Sequence, residues 1–191
     1  EKAILLRVEA NPLTGAEESL NELAQLARTC GVEVFDSFVQ YRRAPDPKFM
    51  IGRGKLSAIG LRATQIGANM LIFDHELTPA QVRSINDFTG LEILDRTQVI
   101  LDIFARRAHS RDGKIQVELA QLKYLLPRLT RMDTSLSRLA GGIGGVGPGE
   151  TKLEIDRRRI RERLGRLEKD LKAITKSRHQ RRGKRQKAGL P

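Results

Sequence analysis

Residues 70–94, which read MLIFDHELTPAQVRSINDFTGLEIL, decide the fold of this chain. They open with four consecutive apolar residues, Met70–Phe73, a run that is typical of a fully buried strand. The pair Thr78-Pro79 predicts a helix start, because threonine caps the first turn and proline fits the first helical position. A helix is predicted over residues 80–88, and Leu91–Leu94 is a second strand. This strand–helix–strand order is typical of a parallel sheet.

The same alternation extends on both sides of this unit. The further predicted elements are the strands Lys2–Val8 and Val32–Tyr41 and the helices Glu17–Ala27, Lys55–Ile66 and Thr97–Ala108. Because helices follow the strands in turn, the connections are expected to be right-handed crossovers. The sequence therefore predicts an α/β domain over residues 1–109, built on a four-stranded, mainly parallel sheet flanked by helices.

The pattern changes after residue 109, where leucine and isoleucine recur at steps of four and three. Two such stretches lie on either side of a glycine-rich segment. They predict a long antiparallel, coiled-coil-like helical hairpin over residues 110–177, with its tip loop at 140–150. Pro127 is expected to kink or split the first arm. Residues 178–191 are basic, have no apolar period and are predicted to be a linker.

Charge is distributed unevenly along the chain. The net charge is +12, but residues 1–95 carry −3 and residues 96–191 carry +15. A basic half is typical of an arm that binds a polyanion. Nucleic acid is favoured over a membrane surface, because the basic half lacks a Trp- and Phe-rich apolar face. The alternative is a solvated helix whose charges pair internally at i,i+4 spacing.

Composition excludes several kinds of protein and site. The single cysteine, Cys30, excludes an internal disulfide and fits a reducing compartment. The three histidines lie far apart in the sequence, so no metal site is expected. No uncharged run approaches the ~20 residues of a membrane-spanning helix, and no signal peptide is visible. We therefore expect a cytoplasmic chain without a membrane span.

The glycine-rich segment before Glu150 is the first candidate binding site. Without side chains, this backbone can approach another surface closely, and its N–H groups can meet phosphate oxygens. A floppy hairpin tip is the alternative. No G-x-x-x-x-G-K-[ST] pattern occurs in the chain, so a P-loop is excluded. The candidate RNA-binding residues of the loop are Gly141, Gly142, Ile143, Gly144, Gly145, Val146, Gly147, Pro148 and Gly149.

A basic cluster follows the glycine loop. Guanidinium groups bind phosphate bidentately, and a helix that is basic on several faces can follow an RNA backbone. Because only 4% of the residues are aromatic, phosphate and shape contacts with a strong salt dependence are expected rather than base stacking. A long helix charged for solubility is the alternative. The candidate RNA-binding residues are Lys152, Arg157, Arg158, Arg159 and Arg161.

Two segments of the first domain could also bind or react. Gly52, Gly54 and Lys55 lie where a helix begins, so backbone donors there could hold a nucleotide phosphate. An ordinary loop-to-helix junction is the alternative. The triplet Asp74-His75-Glu76 follows a strand at the carboxyl edge of the sheet, where α/β proteins place ligands. No nucleophile accompanies it, so we interpret it as structural capping or surface charge. No catalytic residue is predicted.

Several ordered motifs resemble those of the HflX family of ribosome-associated GTPases, and together they cover nearly the whole chain. The motifs are Glu76–Gln81 (ELTPAQ); Asp95–Thr97 (DRT) followed by Ile100–Ala105 (ILDIFA) and Arg107-Ala108; Lys114–Leu122 (KIQVELAQL) with Tyr124 and Pro127–Leu129 (PRL); and Gly147–Glu154 (GPGETKLE) followed by Asp156–Ile160 (DRRRI). The resemblance implies that the pattern continues beyond Pro191 into a strand and a GTPase P-loop. GTP and Mg²⁺ would then belong to the intact protein, with no cofactor held by these residues.

The resemblance also implies partners. Members of the family bind the large ribosomal subunit and its 23S rRNA through the hairpin and split stalled ribosomes, notably under heat stress. Their N-terminal region has been assigned ATP binding, for which Gly52–Lys55 is the candidate here. The family usually has arginine at the position of Val146, so phosphate contact at the tip is expected to be weaker.

We therefore expect a monomeric RNA-binding module that acts together with its own C-terminal GTPase domain. Two alternatives remain at this stage. The first is an α/β domain that binds or hydrolyses a nucleotide itself. The second is a regulatory domain whose hairpin restrains the GTPase domain.

Overall fold

The computed structural model describes residues 1–11, 15–129 and 152–187. The chain divides into two compact units, residues 1–106 and residues 107–191. The predicted tip loop, with its candidate residues Gly141–Gly149, lies outside the described residues.

Strands and helices alternate along the first unit. The strands are β1 (Lys2–Glu9), β2 (Glu33–Tyr41), β3 (Met70–Phe73) and β4 (Glu92–Asp95), and the helices are α1 (Ala16–Thr29), α2 (Arg53–Ile66), α3 (Pro79–Thr89) and α4 (Arg96–Arg107). Neighbouring strands pair in parallel, in the spatial order β2-β1-β3-β4. The predicted α/β fold is confirmed, and the element ends lie within two residues of those expected.

The side chains of β1 alternate between two buried layers. Ile4 and Leu6 pack with α2 and α3 on one face of the sheet, whereas Ala3 and Leu5 pack with α1 and α4 on the other. Successive strand residues point to opposite faces, so an uninterrupted apolar run means that both faces are covered. All four residues of β3 are accordingly buried.

Helix α3 begins as its sequence predicts. The backbone N–H of Gln81 donates to Thr78 Oγ1 at 3.2 Å, and the backbone N–H of Thr78 donates to Gln81 Oε1 at 2.9 Å. This reciprocal pair is a capping box, with Pro79 at the first helical position. Gly90, with φ of 69°, ends the helix in the left-handed conformation that favours glycine.

The second unit contains two long helices, α5 (Arg111–Leu129) and α6 (Lys152–Lys187). Helix α5 continues through Pro127, so the predicted split does not occur within the described residues. The missing proline N–H removes one hydrogen bond near the end of the helix, where the flanking leucines still favour helix. The antiparallel hairpin stays a prediction, because residues 130–151 lie outside the described part.

Helix α6 extends further than the sequence pattern indicated. It reaches Lys187, so residues 178–187, predicted as part of a linker, are helical. Lysine, arginine and glutamine dominate this stretch, which contains no proline, and these side chains favour helix even without an apolar stripe. A role as linker stays a prediction. No described helix is long and apolar enough to cross a membrane.

Candidate functional site

Helix α6 has one apolar stripe and several charged faces. Leu167 of α6 is 2% exposed, and Ile115 of α5 is also buried. Contacts between the two helices bury this stripe. The half-buried apolar residues of α6 follow at helical spacing: Ile160, Leu164, Leu171 and Ile174. Packing against α5 therefore uses one side of the helix and leaves its charged side chains in solvent.

Ion pairs join α5 and α6 along their flanks. Glu118 accepts two hydrogen bonds from Arg163, at 2.7 and 2.9 Å. Asp112 pairs with Arg178 at 2.7 Å, and Lys123 pairs with Glu168 at 2.9 Å. The hydrogen bond from Lys123 and its charge lower the pKa of Glu168. These pairs neutralise part of the charge of α6, and they lie on the side of the helix that faces α5.

The predicted RNA-binding arginines lie near the start of α6, which begins at Lys152. Arg158, Arg159 and Arg161 are exposed, and Arg157 is half-buried. Arg159 lies 3.8 Å from Asp156, and Arg161 has no ionic partner among the residues that the structure describes. Arg158 and Arg161 are three residues apart, so they share a helix face.

The charge of α6 far exceeds what its ion pairs neutralise. Residues 152–187 contain 16 Lys or Arg and five Asp or Glu, a net charge of +11. Like charges repel along one helix, so salt or a bound polyanion stabilises such a surface. An exposed arginine row of this kind can bind phosphates in succession.

The predicted nucleotide site lies at the start of α2. The backbone N–H of Gly52 donates to Gln40 Oε1 at 2.7 Å, so this donor is already satisfied by β2. Lys55 Nζ lies 4.9 Å from the centre of the Phe38 ring. Gly54 is exposed in the first turn of the helix. Because the Gly52 N–H already donates to Gln40, it is not available to a phosphate, and nucleotide binding at this helix start stays a prediction.

A charged cluster lies at the carboxyl edge of the sheet. The sequence indicated Asp74 but none of the contacts that it makes here. The Asp74 side chain is fully buried and pairs with Arg7, with Arg96 Nη1 at 3.0 Å and with the Ser19 hydroxyl at 2.6 Å. Arg7 also binds Glu9, and Arg96 Nη2 lies 2.6 Å from a Glu22 oxygen. Arg7, Arg96 and Ser19 together donate to both oxygens of the Asp74 carboxylate, which fits a structural role.

The electrostatics of this cluster agree with that role. Hydrogen bonds with Glu22 and Asp74 raise the pKa of Arg96 above its ordinary value, against the effect of burial. Next to the cluster, His75 Nε2 lies 2.8 Å from the Val8 carbonyl oxygen, so β1 holds the ring. Asp74 and His75 thus stabilise the sheet edge. The sequence contains one signal for this cluster, an aspartate directly after a buried strand. Its partners Arg7 and Arg96 lie 67 and 22 residues away along the chain, so the sequence does not indicate the pairing itself.

The described residues show no group that is recognisable as a site for GTP with Mg²⁺. The sequence contains no P-loop pattern. In addition, no group of three or more His, Cys, Asp or Glu side chains is placed to hold a metal ion in the described ranges. No step of GTP chemistry is therefore assigned to these residues.

Two protein-family models together match nearly the whole chain. The family model "GTP-binding GTPase N-terminal" matches residues 17–105, and "GTP-binding GTPase Middle Region" matches residues 107–185. The boundary between the two matches falls at the boundary between the two compact units.

Individual relatives agree with the family models. The chain is 46% identical over 191 residues to "GTPase HflX" of Caldanaerobacter subterraneus subsp. tengcongensis, covering all of this chain and 44% of the relative. It is 45% identical over 174 residues to "GTPase HflX" of Escherichia coli, covering 91% of this chain and 41% of the relative. The chain thus spans less than half the length of the curated relatives it matches.

Solved structures show the same architecture. The "crystal structure of SsGBP and GDP complex" superposes with a TM-score of 0.65 and 25% identity, covering 94% of this chain and 46% of that one. A GTP-binding protein from Sulfolobus solfataricus in complex with GDP gives a TM-score of 0.59 at 25% identity, covering 92% and 46%.

Proposed function

Because the chain belongs to the HflX family of GTPases, in which it matches the N-terminal and middle regions, we propose that it binds the large ribosomal subunit through ribosomal RNA. The observation that carries this proposal is the net charge of +11 on α6. The helix buries one apolar stripe and leaves Arg158, Arg159 and Arg161 exposed.

Physical chemistry favours RNA as the partner of this helix. Phosphate groups repeat along an RNA strand and release counterions when arginine or lysine neutralises them, so binding is strong at low salt and falls steeply with salt. The guanidinium fork matches two phosphate oxygens at once. An aromatic-poor helix has few means to read bases, so recognition would depend on backbone and shape.

The glycine loop completes the proposed interface. Residues 141–149 contain six glycines and would let the backbone enter an rRNA cavity that side chains could not. Val146 stands where the family usually has arginine, so the loop would contribute shape rather than charge. The intact cytoplasmic protein would add GTP hydrolysis with Mg²⁺ and split stalled ribosomes, notably under heat stress, with this chain as its anchor.

Co-sedimentation of the purified chain with separated ribosomal subunits over a salt series tests the proposal. Arg158→Gln combined with Arg161→Gln removes two exposed charges from one face of α6. The matched control combines Arg163→Gln with Arg178→Gln, which removes two charges from the side of α6 that faces α5.

The first variant is expected to lower the slope of log affinity against log salt by about 1.4–1.8, or about 0.7–0.9 for each lost phosphate contact. The control pair should change the slope by less than half as much. Binding without preference for the large subunit would contradict the proposal. Equal effects of the two pairs would show that only total charge matters and would contradict it as well.

A shortened loop tests the tip separately. Replacing residues 141–149 by a short turn should abolish binding to the large subunit while the circular dichroism spectrum stays unchanged. Undiminished binding by this variant would remove the loop from the interface.

A further inference from the structure

The cations of the first unit are concentrated in one short segment. Residues 1–95 contain ten Lys or Arg, and five of them fall between positions 42 and 55. This segment has one carboxylate, Asp46, and a net charge of +4, whereas the rest of residues 1–95 carries −7. The acidic average of the domain therefore hides a basic patch.

Contacts with aromatic rings bring these cations together. Lys55 Nζ lies 4.9 Å from the centre of the Phe38 ring, and Lys48 Nζ lies 5.1 Å from that of Phe49. The Arg53 guanidinium lies 5.6 Å from the centre of the Phe88 ring, which itself lies 5.5 Å from the Phe49 ring. Three phenylalanines thus support the stems and heads of three cations across β2, α2 and α3.

Arg42 joins the same patch from the end of β2. A Cβ atom at Gly52 would lie 3.2 Å from Arg42 Nη1 and 3.2 Å from Gln40 Nε2. The guanidinium group of Arg42 therefore lies directly against the start of α2. Arg43, the next residue, is exposed.

Carboxylates neutralise several other cations of this unit. Arg7 and Arg96 share the buried Asp74, and Arg62 binds Asp36 at 2.9 Å. Within the described part of the chain, by contrast, Arg43, Lys48, Arg53 and Lys55 form no salt bridge with a carboxylate. Arg42 reaches Asp46 only at 4.0 Å. These positive charges are therefore left for an external anion.

Local physics makes this placement costly for the protein alone. The first turn of a helix favours acidic side chains, and α1 follows that rule with Glu17 and Glu18. Helix α2 has no acidic residue there and carries Arg53 and Lys55 instead. Asp46, the one carboxylate of the segment, accepts the backbone N–H groups of Lys48 and Phe49 at 2.9 and 2.8 Å and interacts with the charges of Arg42 and Lys48, so it offsets only part of the positive charge.

We propose that Arg42, Arg43, Lys48, Arg53 and Lys55 form a second RNA-binding surface, on the first unit, that takes the phosphate backbone of folded RNA. The inference rests on the proposed function, because ribosomal RNA is the partner already assigned to α6. It adds an interface in the α/β domain that is independent of the glycine loop and of α6.

The composition of the surface favours RNA over the other possible anions. A protein interface typically has an apolar core with charges at its rim, whereas this patch exposes mainly charge: Phe49 is buried, and the Arg53 guanidinium lies over the 37% exposed Phe88. A single nucleotide would use the donors of one loop. Here Gly52 N–H is taken by Gln40, and the cations are spread along the 14 residues from Arg42 to Lys55, in the connection after β2 and the first turn of α2, as suits a strand of successive phosphates.

The test measures binding of the full 191-residue chain to purified bacterial large ribosomal subunits and to a labelled RNA stem-loop over a salt series. The patch variant is Arg43→Gln/Lys48→Gln/Arg53→Gln, which changes side chains that are exposed. The matched control, Lys2→Gln/Arg28→Gln/Arg62→Gln, removes three charges elsewhere on the same unit. Circular dichroism checks that both remain folded.

The patch variant is expected to lower the salt slope for RNA by about 2–3, since each phosphate contact contributes about 0.7–0.9. The control should leave the slope within about 0.5 of the parent value. Equal slopes for the two triple variants would overturn the proposal. The patch variant is also titrated with Mg·ATP and with polyglutamate. If it loses binding to either of these while RNA binding stays intact, the proposal is overturned, because the patch would then serve a nucleotide or an acidic protein.

The same titration separates this proposal from the assignment of α6. If Arg158→Gln/Arg161→Gln lowers the slope and the patch variant does not, the patch is overturned and α6 stands. If only the patch variant lowers the slope, the patch stands and the role of α6 fails.

Discussion

Replacing Asp74 by alanine would test how the carboxyl edge of the sheet is held together. The Asp74 side chain is fully buried, and it accepts from Arg7, Arg96 and Ser19. Removing one partner of a buried ion pair costs about 3–5 kcal/mol, because it leaves the opposite charge uncompensated. Arg7 and Arg96 keep 17% and 27% of their side-chain surface exposed and retain Glu9 and Glu22. We therefore expect a loss of about 2–4 kcal/mol.

The single cysteine provides the assay. Cys30 is buried in the cluster between the sheet and helices α1 and α4, so we expect its thiol to react with a labelling reagent when the first unit opens. A loss of 2–4 kcal/mol corresponds to labelling about 30-fold to 1,000-fold faster, at about 1.4 kcal/mol for each factor of ten. The control is Arg62→Gln, which removes an exposed pair with Asp36 and should cost under about 1 kcal/mol. Labelling of the Asp74→Ala protein no faster than that of the control would refute the reasoning.

Three further predictions concern stability and pH. Leu167→Ala removes a buried side chain between α5 and α6 and should lower the free energy of unfolding by about 2–5 kcal/mol. Leu125→Ala, at an exposed leucine, should lower it by less than about 1 kcal/mol. Thermal melts followed by circular dichroism compare the two variants. Gly60→Ala lies in mid-helix with open space around it and should stabilise by up to about 1 kcal/mol, whereas Gly67→Ala, at φ of 69°, should destabilise by about 1; the reverse order in urea unfolding would contradict this. The pKa of Asp46 is lowered by the hydrogen bond from the Phe49 backbone and further by that from Lys48, against desolvation. Its stabilisation is therefore full above the unfolded value of about 3.9 and disappears as the pH falls through the lower folded value. Asp46→Asn should accordingly destabilise at pH 7 and progressively less as the pH falls below the unfolded value, and a loss that does not change with pH would contradict the assignment.

Local patterns were sufficient to predict the architecture of the first unit. The uncharged run of β3 and the Thr78-Pro79 helix start each depend on neighbouring residues, and the structure confirms both. Their alternation leaves few arrangements for a parallel sheet.

Interactions between distant residues could not be predicted in the same way. The Arg7–Asp74 pair joins residues 67 apart, and no local spacing announces it. Helix α6 extends to Lys187, whereas residues 178–191 were predicted to be a linker because they have no apolar stripe. Lysine and arginine favour helix even without such a stripe.

The basic patch shows a different limit. The net charge of −3 over residues 1–95 averages over the whole α/β domain and conceals five cations near the start of α2. The sequence does show them when charge is counted over about 15 residues at a time. Their aromatic supports still required the fold, because Phe38, Phe49 and Phe88 come from separate segments.

The position of β1 limits how this chain can be divided. This first strand lies between β2 and β3 and carries hydrogen bonds to both. A fragment that starts at Ala16 would retain every helix and still lose the central strand, which leaves β2 without a neighbour and exposes one edge of β3. Such a fragment should aggregate through its open edges. Deletion studies of the helical region should therefore keep the first nine residues or remove the whole α/β unit.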